Sequence, residues 1–151
     1  MGRRPLSPDE LATLIAYLRR TPVWPLADEL ERARLVAWHE LVPTRRALGE
    51  MLTIFGNLGG LSAWELNGRD KFRVSDAWPV LSRFDCDDPK SRMTVTSMIE
   101  SERQSRLSDR ALTVLDDGAS RMFVDGNKRA IAIHEAAVAP MPLPVVVLTR
   151  P

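Results

Sequence analysis

Cysteine is nearly absent from this chain. Cys86 stands alone among 151 residues, which excludes an internal disulfide and a cysteine-based zinc site. Histidine is almost as scarce: His39 and His134 are the only two, too few for a His-rich metal site. No apolar run approaches the roughly 18 residues that a membrane helix needs, and no secretory leader pattern is visible. The expectation is a cytoplasmic protein with no membrane partner. Neither sign of charge dominates, since 21 Lys and Arg stand against 20 Asp and Glu, a net charge of +1. That balance is not by itself a nucleic-acid-binding signature. Lysine is rare, with only Lys71, Lys90 and Lys128 among the 21 basic residues. An arginine-, alanine-, leucine- and valine-rich chain of this kind points to a GC-rich bacterial genome. Internal repeats are absent.

What is present is enough apolar residue, 44% of the chain, to fill one domain core. Ser7-Pro8-Asp9-Glu10 reads as a helix start, with Ser at the cap, Pro at the first position and acids in the first turn. Leu11, Leu14, Ile15 and Leu18 follow at helical spacing, and Thr21-Pro22 and Trp24-Pro25 break the run. Leu26 to Arg34 is helix-prone. Arg34 to Pro43 reads either as continued helix or as a strand. Ala47 to Phe55 is expected to be helical, because Leu48, Met51, Leu52 and Phe55 share a face. Gly56 to Gly60 stops it. Lys71-Phe72-Arg73-Val74 alternates like a strand, and Ser97 to Leu107 reads as a charged helix. The tryptophans Trp24, Trp38, Trp64 and Trp78 are expected to anchor the N-terminal part onto the core through their large buried area.

The most informative stretch lies further on. Ala111 to Leu115 is an apolar run, Asp116-Asp117-Gly118 a turn, and Arg121 to Val124 a second strand. Asp125-Gly126-Asn127-Lys128-Arg129 then leads into a helical run, Ala130 to Val138, and Val145 to Leu148 closes as a buried-type strand. A strand that ends in a glycine loop and feeds a helix turns backbone N–H groups and the helix dipole toward whatever lies beyond, a setting that attracts anions. Gly126 permits a tight turn or a close approach. Asp125 and Asn127 suit loop or cap positions. Lys128 and Arg129 add cationic donors where positive charge opposes the dipole, which hints at an anionic partner. The competing reading is a capped turn with solvated charges.

Leu112 to Gly118, Met122 to Ala130 and Leu143 to Leu148 together resemble the ParB/sulfiredoxin superfamily, with its paired strands, its D-G-x-[HKR]-R loop, its helix and its closing Val-rich strand. The resemblance covers residues 111–148, about a quarter of the chain. It implies an α+β fold, with a small mixed sheet and packed helices. It divides the chain into an N-terminal helical region, 1–34, and a ParB/sulfiredoxin-like domain, 35–151, with an insertion near 50–90. It tilts Arg34–Pro43 toward a strand. It also implies a nucleotide or phosphate site at Gly126, Asn127, Lys128 and Arg129, and it places Arg45 or Arg46, after Leu41-Val42-Pro43, beside the same site; exposed arginines on a helix starting after Thr44 are the alternative. The reactive cysteine of sulfiredoxins is replaced here, at the position that looks like Asn127, so sulfinic-acid repair is not expected. A second resemblance, to the Fic/Doc motif H-x-F-x-D-G-N-[GK]-R, matches Phe123 and Asp125 to Arg129 but has Arg121 where that motif carries its essential His.

The site expected from the sequence therefore uses Asp125 with Glu40 and His39 as the nearest acid–base candidates. Its expected cofactor is a nucleotide (ATP, ADP or CTP) with Mg²⁺. Asp85, Asp87 and Asp88, in an acidic stretch before Pro89, are candidate metal ligands, although such a stretch also makes a solvated turn. The expected partner is a nucleotide or a phosphorylated small molecule, and any turnover is phosphoryl transfer, nucleotide hydrolysis or nuclease action. Two other readings stand beside it. One is a DNA-binding ParB-like module, with a basic surface from Arg45, Arg46, Arg103, Arg106, Arg110, Arg121 and Arg129. The other is a catalytically silent interaction protein.

Overall fold

The computed structural model describes residues 2–56, 71–85, 98–100, 112–136 and 141–151. Its centre is a mixed seven-stranded sheet. In chain order the strands are β1 (Arg4–Pro5), β2 (Val36–Val42), β3 (Leu52–Gly56), β4 (Lys71–Arg73), β5 (Leu112–Asp116), β6 (Arg121–Asp125) and β7 (Leu143–Thr149). Their spatial order is β1-β2-β7-β5-β6-β3-β4. The β7–β5 and β6–β3 neighbours are parallel, and the other pairs are antiparallel. The fold is thus α+β, as expected.

Helices cover both faces. α1 (Pro8–Leu18) starts on a reciprocal cap. Ser7 Oγ accepts the Glu10 N–H at 3.1 Å, and the Ser7 N–H donates to Glu10 Oε1 at 3.0 Å, which satisfies two donors that the helix cannot satisfy itself. α2 (Pro25–Glu31) follows a short turn, and Arg19 ties the two helices by pairing with Asp28 at 2.6 Å and with Glu31. Leu18, Ala27 and Leu30 pack on Ala37, Val146 and Leu148. The N-terminal helices therefore lie against one face of the sheet.

The other face carries α3 (Arg45–Glu50), α4 (Val74–Asp85) and α5 (Asn127–Ala136). Residues 98–100 are also helical, and Ile99 joins the same core. Ile131 and Ile133 of α5 are buried with Leu112, Val114, Phe123, Val145 and Val147. Alternation along β5 and β7 assigns these residues to one face and Leu115, Val146 and Leu148 to the opposite one.

The expected helix over Ala47–Phe55 is not what forms. Thr44 caps α3 by accepting the Ala47 N–H at 3.1 Å, the helix ends at Glu50, and Leu52 begins β3. The helical spacing of Leu48 and Met51 is real, but Leu52-Thr53-Ile54-Phe55 is rich in strand formers and the free edge of β6 offers them a partner. Within 50–90, which the resemblance marks as an insertion, the described residues form β3, β4 and α4, and the two strands extend the sheet. The tryptophans do not act as a set of buried anchors. Trp24 is 54% exposed. Trp38 donates to Thr149 Oγ1 at 2.9 Å and carries the Arg3 guanidinium 5.5 Å above its ring. Trp78 packs against the larger core. Trp64 lies outside the described residues.

Candidate functional site

β6 and β3 run parallel side by side, yet the chain leaves them in opposite directions: β3 continues to β4 at the sheet edge, and β6 continues through α5 to β7 beyond β5. Crevices beyond the carboxyl ends of strands at such a divergence are where open α/β sheets place ligands. Here Asp125, Gly126 and the first turn of α5 follow the carboxyl end of β6, at that divergence.

Gly126 has φ +79°, and a Cβ built on it would meet Leu112 Cδ2 at 2.4 Å. Both the backbone conformation and the packing thus require glycine. The Ala130 N–H donates to Gly126 O at 2.8 Å, closing the first turn of α5. Asn127, Lys128 and Arg129 are that first turn, and no acidic residue stands in it. The turn is where a helix directs the N–H groups that it cannot pair internally.

Asn127 is buried, and its role is structural. Its Oδ1 accepts the Ile54 N–H at 2.9 Å, beyond the point where Leu52 pairs with Met122. The Asn127 side chain thereby stitches β3 to the start of α5. Ile54 O in turn accepts from Lys71 Nζ at 2.8 Å. Lys71 and Asn127 thus hold the two backbone groups of one β3 residue, a link that the residue pattern alone does not reveal.

Asp125 faces the other way. Val114 pairs with Phe123, but Thr113 pairs with Asp125, so the ladder bulges at Val124. The bulge breaks the alternation, and Asp125 turns toward α1, where the Tyr17 hydroxyl lies 2.9 and 3.0 Å from its two carboxylate oxygens. A transverse row runs from there across the sheet: Asp125, Thr113, Val146, His39. Three strand spacings put His39 about 14 Å from Asp125. α1 lies over this row and frames a cleft of about 560 Å³ whose walls include Glu10, Thr13, Tyr17, His39 and Thr113. His39 Nε2 is 2.7 Å from Glu10 Oε2. The Ser7 N–H, then His39 and the Ser7 hydroxyl, hold the Glu10 carboxyl down to about 2 from 4.5, against partial desolvation.

The remaining candidates go elsewhere. Glu40, one residue on from His39, points to the opposite face and pairs with Arg121 at 2.8 Å and Arg3 at 3.4 Å. Arg121 also pairs with Asp116 at 3.1 Å. Because Arg121 begins β6 and Asp125 ends it, Glu40 is engaged roughly 13 Å of strand from the loop. Asp125, Glu40 and His39 are therefore not gathered into one acid–base site. Arg45 donates through Nε to His134 O at 2.6 Å, near the far end of α5. There α3 approaches so closely that a Cβ on Gly49 would meet His134 Nε2 at 2.9 Å. His134 lies seven residues, about 10 Å of helix, beyond Asn127. Arg46 is exposed, 3.6 Å from Glu50. Neither arginine joins Arg129. Asp85 ends α4, and Asp87 and Asp88 lie outside the described residues, as do Arg103, Arg106 and Arg110. Among the described residues no cluster of three metal-ligating side chains occurs, and no helix is long and apolar enough to cross a membrane.

No protein-family model, curated protein or solved structure matches this chain. The likeness to the ParB/sulfiredoxin superfamily therefore stands on the residue pattern of 111–148.

Proposed function

We propose that the chain binds a phosphate-bearing small molecule, a nucleotide with Mg²⁺ being the leading case, at the first turn of α5. The observation that supports this reading is a glycine-led helix start, with Lys128 and Arg129 in its first turn, at the divergence of two parallel strands. Lys71 and Asn127 share Ile54 as a backbone anchor, and the Asn127 bond ties β3 to the start of the helix. In this reading the first-turn N–H groups hold a phosphate, Arg129 forks onto it, and Lys71 and Lys128 supply charge. Asn127 holds β3 to the helix start instead of touching the ligand. Phosphoryl transfer or nucleotide hydrolysis fits such a site, because both reactions mainly require positioning and charge stabilisation. The reading assigns no base.

A thermal-shift panel of ATP, ADP, CTP, GTP and AMP with Mg²⁺ tests this, on wild type and on Arg129→Ala. A ligand at about 100 times its dissociation constant adds roughly 2.7 kcal/mol, a shift of several degrees. The expected result is a shift with at least one nucleotide that Arg129→Ala removes. A well-folded protein that shifts with none of them refutes the nucleotide reading.

A further inference from the structure

Thr113 lies on β5, the fourth of the seven strands across the sheet, and is only 1% exposed. Among the described residues its hydroxyl has no hydrogen-bond partner. Buried hydroxyls are normally paired, so an unpaired one at the centre of a sheet calls for a reason. The hydroxyl is not sealed in the core. Thr113 forms part of the wall of the cleft of about 560 Å³ between α1 and the sheet.

The same cleft holds a second unfilled position. Glu10 accepts the Ser7 N–H, and its other oxygen lies 2.7 Å from His39 Nε2. A carboxylate only accepts, so Nε2 is the donor, and Nδ1 of the neutral ring is left as an acceptor. Among the described residues Nδ1 has no partner. Val146 stands between His39 and Thr113 in the transverse row, so the two backbones are two strand spacings apart, about 10 Å. Side chains stand roughly perpendicular to a sheet. Two hydrogen bonds of about 2.8 Å each then leave roughly 4 Å, the reach between non-adjacent hydroxyls of one sugar ring. Leu14 and Val146 give the cleft apolar wall, and Tyr17, bonded to Asp125, stands on the Thr113 side.

The two open positions ask for different things. The Thr113 hydrogen needs an acceptor, and His39 Nδ1 needs a donor. An ammonium ion donates but cannot accept. A carboxylate or phosphate meets Glu10, and Asp125 behind Tyr17, as like charges. A hydroxyl both donates and accepts, and it brings no charge. We propose that the cleft between α1 and the sheet binds a small uncharged polyhydroxy compound, a sugar or polyol, with Thr113 donating to one of its oxygens and His39 Nδ1 accepting from another of its hydroxyls. The cleft volume lies within the range of small-molecule sites, roughly 300–1,000 Å³. The site lies on the face opposite α5 and does not depend on the phosphate reading.

The test is an amide and imidazole NMR titration of the full chain with D-ribose, D-glucose and myo-inositol, on wild type and Thr113→Val. Putrescine and inorganic phosphate serve as the cationic and anionic comparisons. Saturable shift changes at Thr13, His39 and Thr113 are expected with at least one polyhydroxy probe, with affinity about tenfold weaker in Thr113→Val. No saturable change with any of the three overturns the proposal. Equal affinity in Thr113→Val does the same, and so does a stronger response of these residues to putrescine or phosphate. Thermal melts add a readout that needs no ligand. A hydroxyl without a partner contributes nothing to the fold, so Thr113→Val should melt at or above the wild-type temperature. A lower melting temperature, or a variant that does not fold, would give the hydroxyl a structural partner and end the proposal.

Discussion

The two faces of the sheet are held in different ways. On the α5 face, 17 described residues form one buried apolar cluster, against six on the α1 face. The α1 face adds polar fastenings at its ends: Glu10 to His39, Arg19 to Asp28, and Tyr17 to Asp125. Apolar packing is non-directional and difficult to interrupt locally, whereas a few directional contacts can open one at a time. The larger core therefore holds α5, while the bulge at Val124 turns Asp125 toward the polar fastenings of α1.

The largest effect that separates the faces is expected from Phe123→Ala. Phe123 is fully buried in the larger cluster, so its truncation should cost ~3–5 kcal/mol in denaturant unfolding. Leu18→Ala, in the smaller cluster, should cost nearer ~2–3 kcal/mol. Hydrogen exchange sharpens the contrast. Amides of α1 should exchange faster in Leu18→Ala while those of α5 keep protection close to the global stability. Equal loss of protection in both helices would mean that the faces are one cooperative unit.

Asn127→Ala comes next. It strands the Ile54 N–H, which should cost ~1–3 kcal/mol. It should also loosen β3 at Ile54 without altering the Glu10–His39 contact, which a two-dimensional amide spectrum would show.

The smallest effect concerns acid. The folded-state pKa of Glu10 is depressed, from 4.5 to about 2. Its contribution is therefore present above pH 4.5 and is lost as pH falls toward 2. Asp117 adds in the same sense, because the Ser120 and Ala119 N–H groups lower it. Thermal melts from pH 5 to pH 2 should show a shallower acid decline in Glu10→Gln than in wild type. Identical slopes would remove Glu10 from the fastening of α1.

Short-range features of the fold are legible in the sequence. The Ser7–Glu10 cap and the Asp125–Arg129 loop leading into a helix both form where residue types and spacing place them, because each depends on neighbours within a few positions. The strand at Leu52–Gly56 carries an ambiguous local signature. Its residues are strand formers, yet Leu48, Met51, Leu52 and Phe55 satisfy a helical spacing, and pairing with β6 and β4 decides between them. The contacts that give the loop its surroundings are hidden for the same reason. Tyr17 meets Asp125 across 108 positions and Asn127 meets Ile54 across 73. A bulge at Val124, invisible in composition, decides which face Asp125 serves. Arg45 follows the right turn to be a partner for Arg129, yet α3 carries it to His134.

The most direct measurement is an amide NMR titration of the wild-type protein with ADP and Mg²⁺. The account predicts that the largest shift changes fall on Gly126, Asn127, Lys128 and Arg129, with Ile54 and Lys71 following, and that Arg129→Ala abolishes them. Changes centred instead on Glu10, Thr13 and His39, in the cleft under α1, or no changes at saturating nucleotide, would contradict it.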